Sequence, residues 1–134
     1  MKSKNQNILV VKIGGSTLGQ HDTTMEDLVE LQKRKISVVV IHGGGKIITE
    51  WLAKQGASTQ FVQGERVTDK VGLEVVTAVL SGLVNKDLVA TINFLGGRAI
   101  GISGVDGALL QGKIKDTQLG YVGTLVSMNT EVLD

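Results

Sequence analysis

Lys12 stands between an apolar run, Ile8-Leu9-Val10-Val11, and a glycine pair, Gly14-Gly15. A compact ammonium at the end of a buried strand, beside a glycine turn, suits a phosphate or a carboxylate. The plainer alternative is a lysine that ends the strand in solvent. A second junction of this kind runs from Val38-Val39-Val40-Ile41-His42 into Gly43-Gly44-Gly45, then Lys46-Ile47-Ile48-Thr49-Glu50-Trp51-Leu52. Apolar residues at 47, 48, 51 and 52 have helix spacing, so these glycines sit where a strand hands over to a helix N-terminus. Backbone amides there bind anions. Without Cβ atoms, Gly43, Gly44 and Gly45 let a ligand come against the main chain; the alternative is a tight connection with no ligand. A third junction is Ala99-Ile100-Gly101-Ile102-Ser103 followed by Gly104-Val105-Asp106-Gly107. If the three strands are parallel, their turns share the sheet edge at which open α/β sheets bind ligands. Arg66, in Gly64-Glu65-Arg66-Val67-Thr68, is the candidate for a bidentate carboxylate clamp, although taken alone it reads as a surface arginine. A glycine-lined anion edge with Lys12 and Arg66 fits phosphoryl transfer, where catalysis is mostly positioning and charge neutralisation.

Other polar residues carry blander readings. His42 is a histidine at a strand end, Lys46 a solvated lysine, Asp106 a turn residue of an Asp-Gly pair, and Asn85-Lys86-Asp87 a polar surface on a helix. Gly43–Lys46 lacks the spacing and the following hydroxyl of a Walker A loop, and no GxGxxG occurs. His21 and His42 are not spaced as metal ligands, so no metal site is read. No Ser-His-Asp or Cys-His set suggests itself.

The elements that must position these residues follow from composition and period. The 134 residues suffice for one domain with one core. With 42% apolar and 3% aromatic residues, that core must be aliphatic. A net charge of +1 gives no electrostatic case for nucleic acid or an acidic membrane. The absence of cysteine fits the cytoplasm, and the apolar run before Lys12 is too short for a signal peptide or a membrane span. With 18 glycines and no proline, glycine does the turning. Thr23-Thr24-Met25-Glu26 has the form of a capping box, opening a helix to about residue 35. Strand 36–42 then completes a βαβ unit with parallel strands. A second helix covers 46–55 with Gly56 at C′, and 58–68 reads as a short hairpin or lid-like excursion. The longest periodic segment, 69–95, carries two apolar stripes. Leu73, Val76, Leu80, Val84, Leu88, Ile92 and Leu95 form one; Val75, Val79, Leu83 and Val89 form the other. Two stripes imply two buried faces, one on the sheet and one on a second copy or a missing part. Gly82 marks a kink or close packing. Gly96-Gly97 ends this helix, 99–103 reads as an inner strand, and 108–114 with 121–128 as a hairpin. Residues 129–134 read as a helix cap and first turn. A lone turn is unstable, which predicts the front part of a longer protein.

Five motifs then carry a resemblance. Lys12-Ile13-Gly14-Gly15-Ser16, His42-Gly43-Gly44-Gly45, Gly64-x-Arg66-Val67-Thr68, Ser103-Gly104-Val105-Asp106-Gly107 and Leu119-Gly120-Tyr121-Val122-Gly123, in this order and spacing, resemble the acetylglutamate kinases of the amino acid kinase family from Ile8 onward. The resemblance implies an α/β fold, a three-layer αβα sandwich with a mainly parallel open sheet. Residues 1–134 would be its N-terminal substrate-binding and dimerisation part, with the C-terminal ATP-binding part absent. It implies transfer of the ATP γ-phosphoryl group to the side-chain carboxylate of N-acetyl-L-glutamate in arginine biosynthesis. Lys12 would stabilise charge on the transferring group, Gly14 and Gly15 cradle phosphate, Gly44 and Gly45 bind substrate, and Arg66 hold the substrate's α-carboxylate. ATP with Mg²⁺ would be the co-substrate, and a homodimer would form through helix 69–95. The family's second lysine, its ordering aspartate and its substrate asparagine fall beyond residue 134, so this chain alone is expected to have little or no kinase activity. The short N-terminus lacks the extra helix of hexameric, arginine-inhibited members, which argues against arginine feedback. Two alternatives stand beside this reading: a kinase of an N-modified aminoadipate in lysine biosynthesis, and a non-catalytic acylamino-acid-binding or regulatory module.

Overall fold

Two β-branched runs separated by an amphipathic helix pair in parallel. β1 (Ile8–Ile13) lies beside β2 (Ser37–His42) in the register Ile8↔Ser37 to Ile13↔His42, joined through α1 (Thr24–Lys33). The computed structural model describes residues 8–14 and 23–133. Gly15, Ser16, His21 and Asp134 lie outside them. The ladder runs on into the glycine turn, where the Gly43 N–H donates to Ile13 O at 3.2 Å. Alternation sends Lys12 and Ile41 to one face and Ile13 and His42 to the other. On the second face Ile13 is 3% exposed, and α1 and α4 (Asn85–Phe94) lie over it. On the first, Ile8, Val10 and Ile41 are 62%, 58% and 52% exposed. Burial, expected on both faces from the continuous apolar runs, is therefore confined, among the described residues, to the carboxyl end of one face, where Ile13 is covered while Leu9 stays 41% exposed. The fold class is α/β, and these residues supply the parallel pair and one helical layer of a sandwich.

The capping box at Thr23 does not form. Its φ and ψ of −88° and 15° are not those of a cap, and its hydroxyl donates instead to Asp27 Oδ2 at 2.9 Å. α2 (Gly45–Lys54) ends as expected on Gly56, whose φ is +73°. The Gly56 N–H reaches Ala53 O and the Ala57 N–H reaches Leu52 O, the paired bonds of a Schellman motif.

One helix of 25 residues runs from Lys70 to Phe94, and it is apolar enough by length and composition to cross a membrane. Its buried residues behave as those of a core helix. Val75, Val79, Val84 and Leu88 pack with Ile48 and Leu52 of α2. Asp69 caps it, accepting from the Gly72 N–H at 2.7 Å. α3 (Lys70–Thr77) passes through a π-helical stretch, Ala78–Val84, into α4. This stretch corrects the two-stripe reading. Buried positions advance 75, 79, then 84, 88, so the seam jumps by five residues where the π turn adds one. What reads as two stripes is largely one seam that changes stripe. Gly82 lies in that stretch, but a Cβ there would meet nothing within 4 Å, so close packing is not its reason.

The inner strand expected at 99–103 is absent. The Arg98 N–H and O bond the Gln32 side chain at 2.7 Å each, the Ala99 N–H donates to Asn93 Oδ1 at 2.8 Å, and Gly101 O accepts from Lys86 Nζ at 2.9 Å. Side chains of α1 and α4 satisfy this backbone, and a cavity of about 250 Å³ lies between it and β2, lined by Val38, Val40, Leu88 and Ile92 among others.

The 58–68 excursion is a hairpin, β3 (Phe61–Val62) and β4 (Glu65–Arg66), turned by Gln63 and Gly64 at φ +50° and +83°. β5 (Leu110–Ile114) and β6 (Gly123–Met128) form the second, with a bulge at Gln111/Gly112. It docks on the first through Thr68 and Gly120. Thr130–Leu133 forms a short 3₁₀ turn, with the Glu131 N–H donating to Asn129 Oδ1 at 3.2 Å.

Candidate anion-binding site

The first turn of α2 gathers positive charge with no acid to balance it. The amides of Gly45, Lys46 and Ile47 have no intrahelical partner, and the macrodipole places its positive end there. That turn holds Lys46 and no Asp or Glu. The β3–β4 hairpin then brings Arg66 onto it. Nη2 donates to Gly45 O at 3.0 Å and to Thr49 Oγ1 at 2.9 Å, and Nη1 donates to Thr59 Oγ1 at 3.1 Å. The Phe61 ring lies 4.8 Å from the guanidinium carbon. These contacts fix the plane of the fork and leave Nε–H and one Nη1–H. Partial burial draws the Arg66 guanidinium below its ordinary value, and it stays charged at any working pH. The adjacent acid, Glu65, is taken by Lys115 at 2.8 Å, and neither ion pair among the described residues involves Arg66. A guanidinium set against the positive end of a helix is a stable arrangement when an anion sits between them.

The glycines divide the work. A Cβ on Gly44 would stand 2.7 Å from Leu80 Cδ2 and 3.4 Å from Val84 Cγ2, so a side chain there would have to push the Leu80 methyl aside. A Cβ on Gly43 or Gly45 would meet nothing within 4 Å. The approach of a ligand to the main chain, expected for all three, has open space on the Cβ side at those two; at Gly44 that side is filled, and its N–H is the group left for a ligand. Lys12 is exposed and shares a face with Ile41. No hydrogen bond or ion pair among the described residues joins it to Arg66 or the triplet. Gly14 follows β1 directly, at the same sheet edge. No group of three or more His, Asp or Glu gathers among the described residues.

Thr49, Thr59 and Phe61, which hold the guanidinium, were not legible as site residues, because their roles arise only when the hairpin folds over α2. Asn85 corrects a reading outright. Expected on a polar surface, it is 7% exposed and bonded to His42 and Lys86. Asp106 is the turn residue expected. Its carboxylate accepts from the Ser103 N–H at 2.6 Å and from the Ser103 hydroxyl at 2.8 Å. The backbone bond first and the hydroxyl second hold its pKa below the usual carboxylate value, helped by Lys86. A depressed carboxylate stabilises the turn above its unfolded pKa, and that contribution is lost as pH falls through the folded value. In a carbon-detected NMR titration, Asp106 should have a midpoint below the reference near ~3.9, and Ser103→Ala should raise it. An unchanged midpoint in the variant would remove Ser103 as the cause.

Residues 7–134 match the Amino acid kinase family. An acetylglutamate kinase of Dehalococcoides mccartyi strain BAV1 is 45% identical over 133 residues, 99% of this chain and 49% of that protein. One from Cereibacter sphaeroides strain ATCC 17029 is 48% identical over 129 residues, 94% of this chain and 44% of that protein. The crystal structure of smu.665 from Streptococcus mutans UA159 superposes with a TM-score of 0.85 at 26% identity, over 94% of this chain and 52% of that one. The chain thus spans about half the length of the curated relatives it matches.

Proposed function

The chain belongs to the amino acid kinase family, and from that premise we propose that it carries the acylamino-acid site of an acetylglutamate kinase. In the reaction, a side-chain carboxylate oxygen of N-acetyl-L-glutamate attacks the γ-phosphorus of ATP, ADP leaves, and an acyl phosphate forms, a step of arginine biosynthesis. The observation that carries the reading is the meeting of Arg66 with Gly45 at an acid-free helix N-terminus. Arg66 holds the α-carboxylate through its charge and one of its remaining N–H groups, with Gly44 and Gly45 offering main-chain contact to the same molecule. Lys12 neutralises charge on the transferring phosphoryl group, and Gly14 and Gly15 are assigned to cradle it. Mg²⁺ enters with the nucleotide. Val71, Leu73 and Leu83 of the long helix, 49%, 36% and 48% exposed, support a homodimer through 69–95. A cytoplasmic setting goes with this chemistry.

The test is calorimetric titration of the 134-residue chain with N-acetyl-L-glutamate, with N-acetyl-L-2-aminoadipate, and with ATP-Mg. Tighter binding of the glutamate derivative supports the assignment. Preference for the longer acid would move it to an aminoadipate kinase, and binding of neither acid would overturn it. Lys12→Ala separates chemistry from folding. Lys12 is exposed, so its loss should leave stability in urea within about 0.5 kcal/mol of wild type. A larger drop would show that Lys12 serves the fold.

A further inference from the structure

Asn85 is a buried polar residue for which the proposed reaction has no use. It opens α4 directly after the π-helical stretch and bonds both His42, at the end of β2, and its own neighbour Lys86. The donor inventory of its neighbours fixes every proton. Lys86 Nζ can only donate, and it lies 3.0 Å from Asn85 Oδ1 and 2.9 Å from Gly101 O. The carbonyl end of the Asn85 amide is thereby assigned, and its NH₂ must face His42 Nε2, 3.2 Å away. Nε2 therefore accepts. The ring proton then sits on Nδ1, which donates to Gly43 O at 3.1 Å. A trans peptide is planar, so holding the Gly43 carbonyl towards the imidazole aims the Gly44 N–H the opposite way.

We propose that Asn85 is a positioning residue for the glycine turn: through a neutral His42 it sets the Gly43–Gly44 peptide and hence the direction of the Gly44 N–H. This rests on the reading above that the Gly44 amide contacts the substrate. The alternative of a mere space-filler fits the surroundings poorly. A Cβ on Gly101 would collide with Asn85 Oδ1, so the chain gives up a side chain at 101 to keep this amide in place. Val89 lies on the same side, and an apolar residue at 85 would have packed there without any partner.

Two measurements on one sample test it. In a His21→Gln background His42 is the only imidazole, and long-range ¹⁵N–¹H NMR reads its tautomer. The expected result is a proton on Nδ1 and none on Nε2. Asn85→Asp turns the donor into an acceptor, so Nε2 should then carry a proton. Asn85→Leu removes the donor while filling the space, and should weaken N-acetyl-L-glutamate by about tenfold, the scale of one lost oriented hydrogen bond. An Nε2–H tautomer in the parent, an unprotonated Nε2 in Asn85→Asp, or wild-type affinity in both variants would overturn the proposal. Should Asn85→Leu fail to fold, Asn85→Asp decides by the same readings. Should the parent chain bind no acid, the functional reading falls, and the positioning role is judged by the tautomer alone.

Discussion

Arg66→Ala should lower the affinity of the chain for N-acetyl-L-glutamate by about thirtyfold, the low end of the cost of truncating one partner of a hydrogen-bonded charge pair, because the guanidinium is only partly buried. The reason lies in how the guanidinium is held. Three donated bonds, to Gly45 O, Thr49 and Thr59, and the Phe61 ring fix its plane before any ligand arrives. The ligand therefore meets a fork that has already lost its rotamer entropy. Arg66→Lys keeps the charge and loses the fork. An ammonium has three N–H groups and cannot replace the bonds to Gly45 O, Thr49 and Thr59 while still donating to a ligand, so lysine should recover little of the affinity. Calorimetric titration of the three proteins with one acid checks this. Affinity in Arg66→Lys close to wild type would mean that only charge matters, and the role of the fixed guanidinium would fail. Folding should change little by comparison, because the bonds lost lie at a partly exposed hairpin. Loss of those contacts should cost about 1 kcal/mol in urea unfolding.

Which parts were legible in the sequence follows from the range of the interactions concerned. β1 and β2 were readable as continuous apolar runs that end in glycines, α1 and α2 by their helical period, and Gly56 because a Schellman end needs one left-handed residue. The jog from Val79 to Val84 was not readable. A π turn leaves no period of its own; it shows only as two stripes that each look incomplete. The strand expected at 99–103 failed for another reason. Its apolar alternation is real, but Gln32, Asn93 and Lys86 reach its backbone first. Those side chains come from helices far away in sequence, and no local pattern announces them. The same holds for the site. Arg66 stood out by its motif, whereas Thr49, Thr59 and Asn85 gain their roles only from tertiary placement. The glycine triplet was legible as a turn, yet its middle member answers to Leu80 and Val84, a packing demand that looks identical to a ligand's in sequence.

Gly120→Ala should be the most destabilising of the small substitutions considered, by about 3 kcal/mol. Gly120 has φ +68° and ψ −124°, a region that L side chains rarely adopt. Its missing Cβ would also point into the Thr68 carbonyl oxygen, with Thr68 C at 3.0 Å, and backbone cannot swing aside as a side chain can. That same carbonyl accepts the Tyr121 N–H at 2.7 Å, and the Thr68 N–H donates to Leu119 O at 3.0 Å. Thr68 and Leu119 are 7% and 6% exposed, so bonds broken here leave polar groups away from water. Strain of about 1–3 kcal/mol and two hydrogen bonds near ~1 kcal/mol each cannot both be avoided, because relieving the clash opens the bonds. Gly82→Ala is the control. A Cβ there meets nothing within 4 Å, so this variant should gain stability, by up to about 1 kcal/mol. Urea unfolding of both variants reads the difference, and hydrogen exchange at the Thr68 and Tyr121 amides shows whether the hairpin has come away. A neutral Gly120→Ala with both amides still protected would mean that the β5–β6 hairpin does not brace the Arg66-Val67-Thr68 segment. If it does brace it, the variant should also lose affinity for the acid, since Arg66 stands two residues from the broken contact and its hairpin would then be held from one side only.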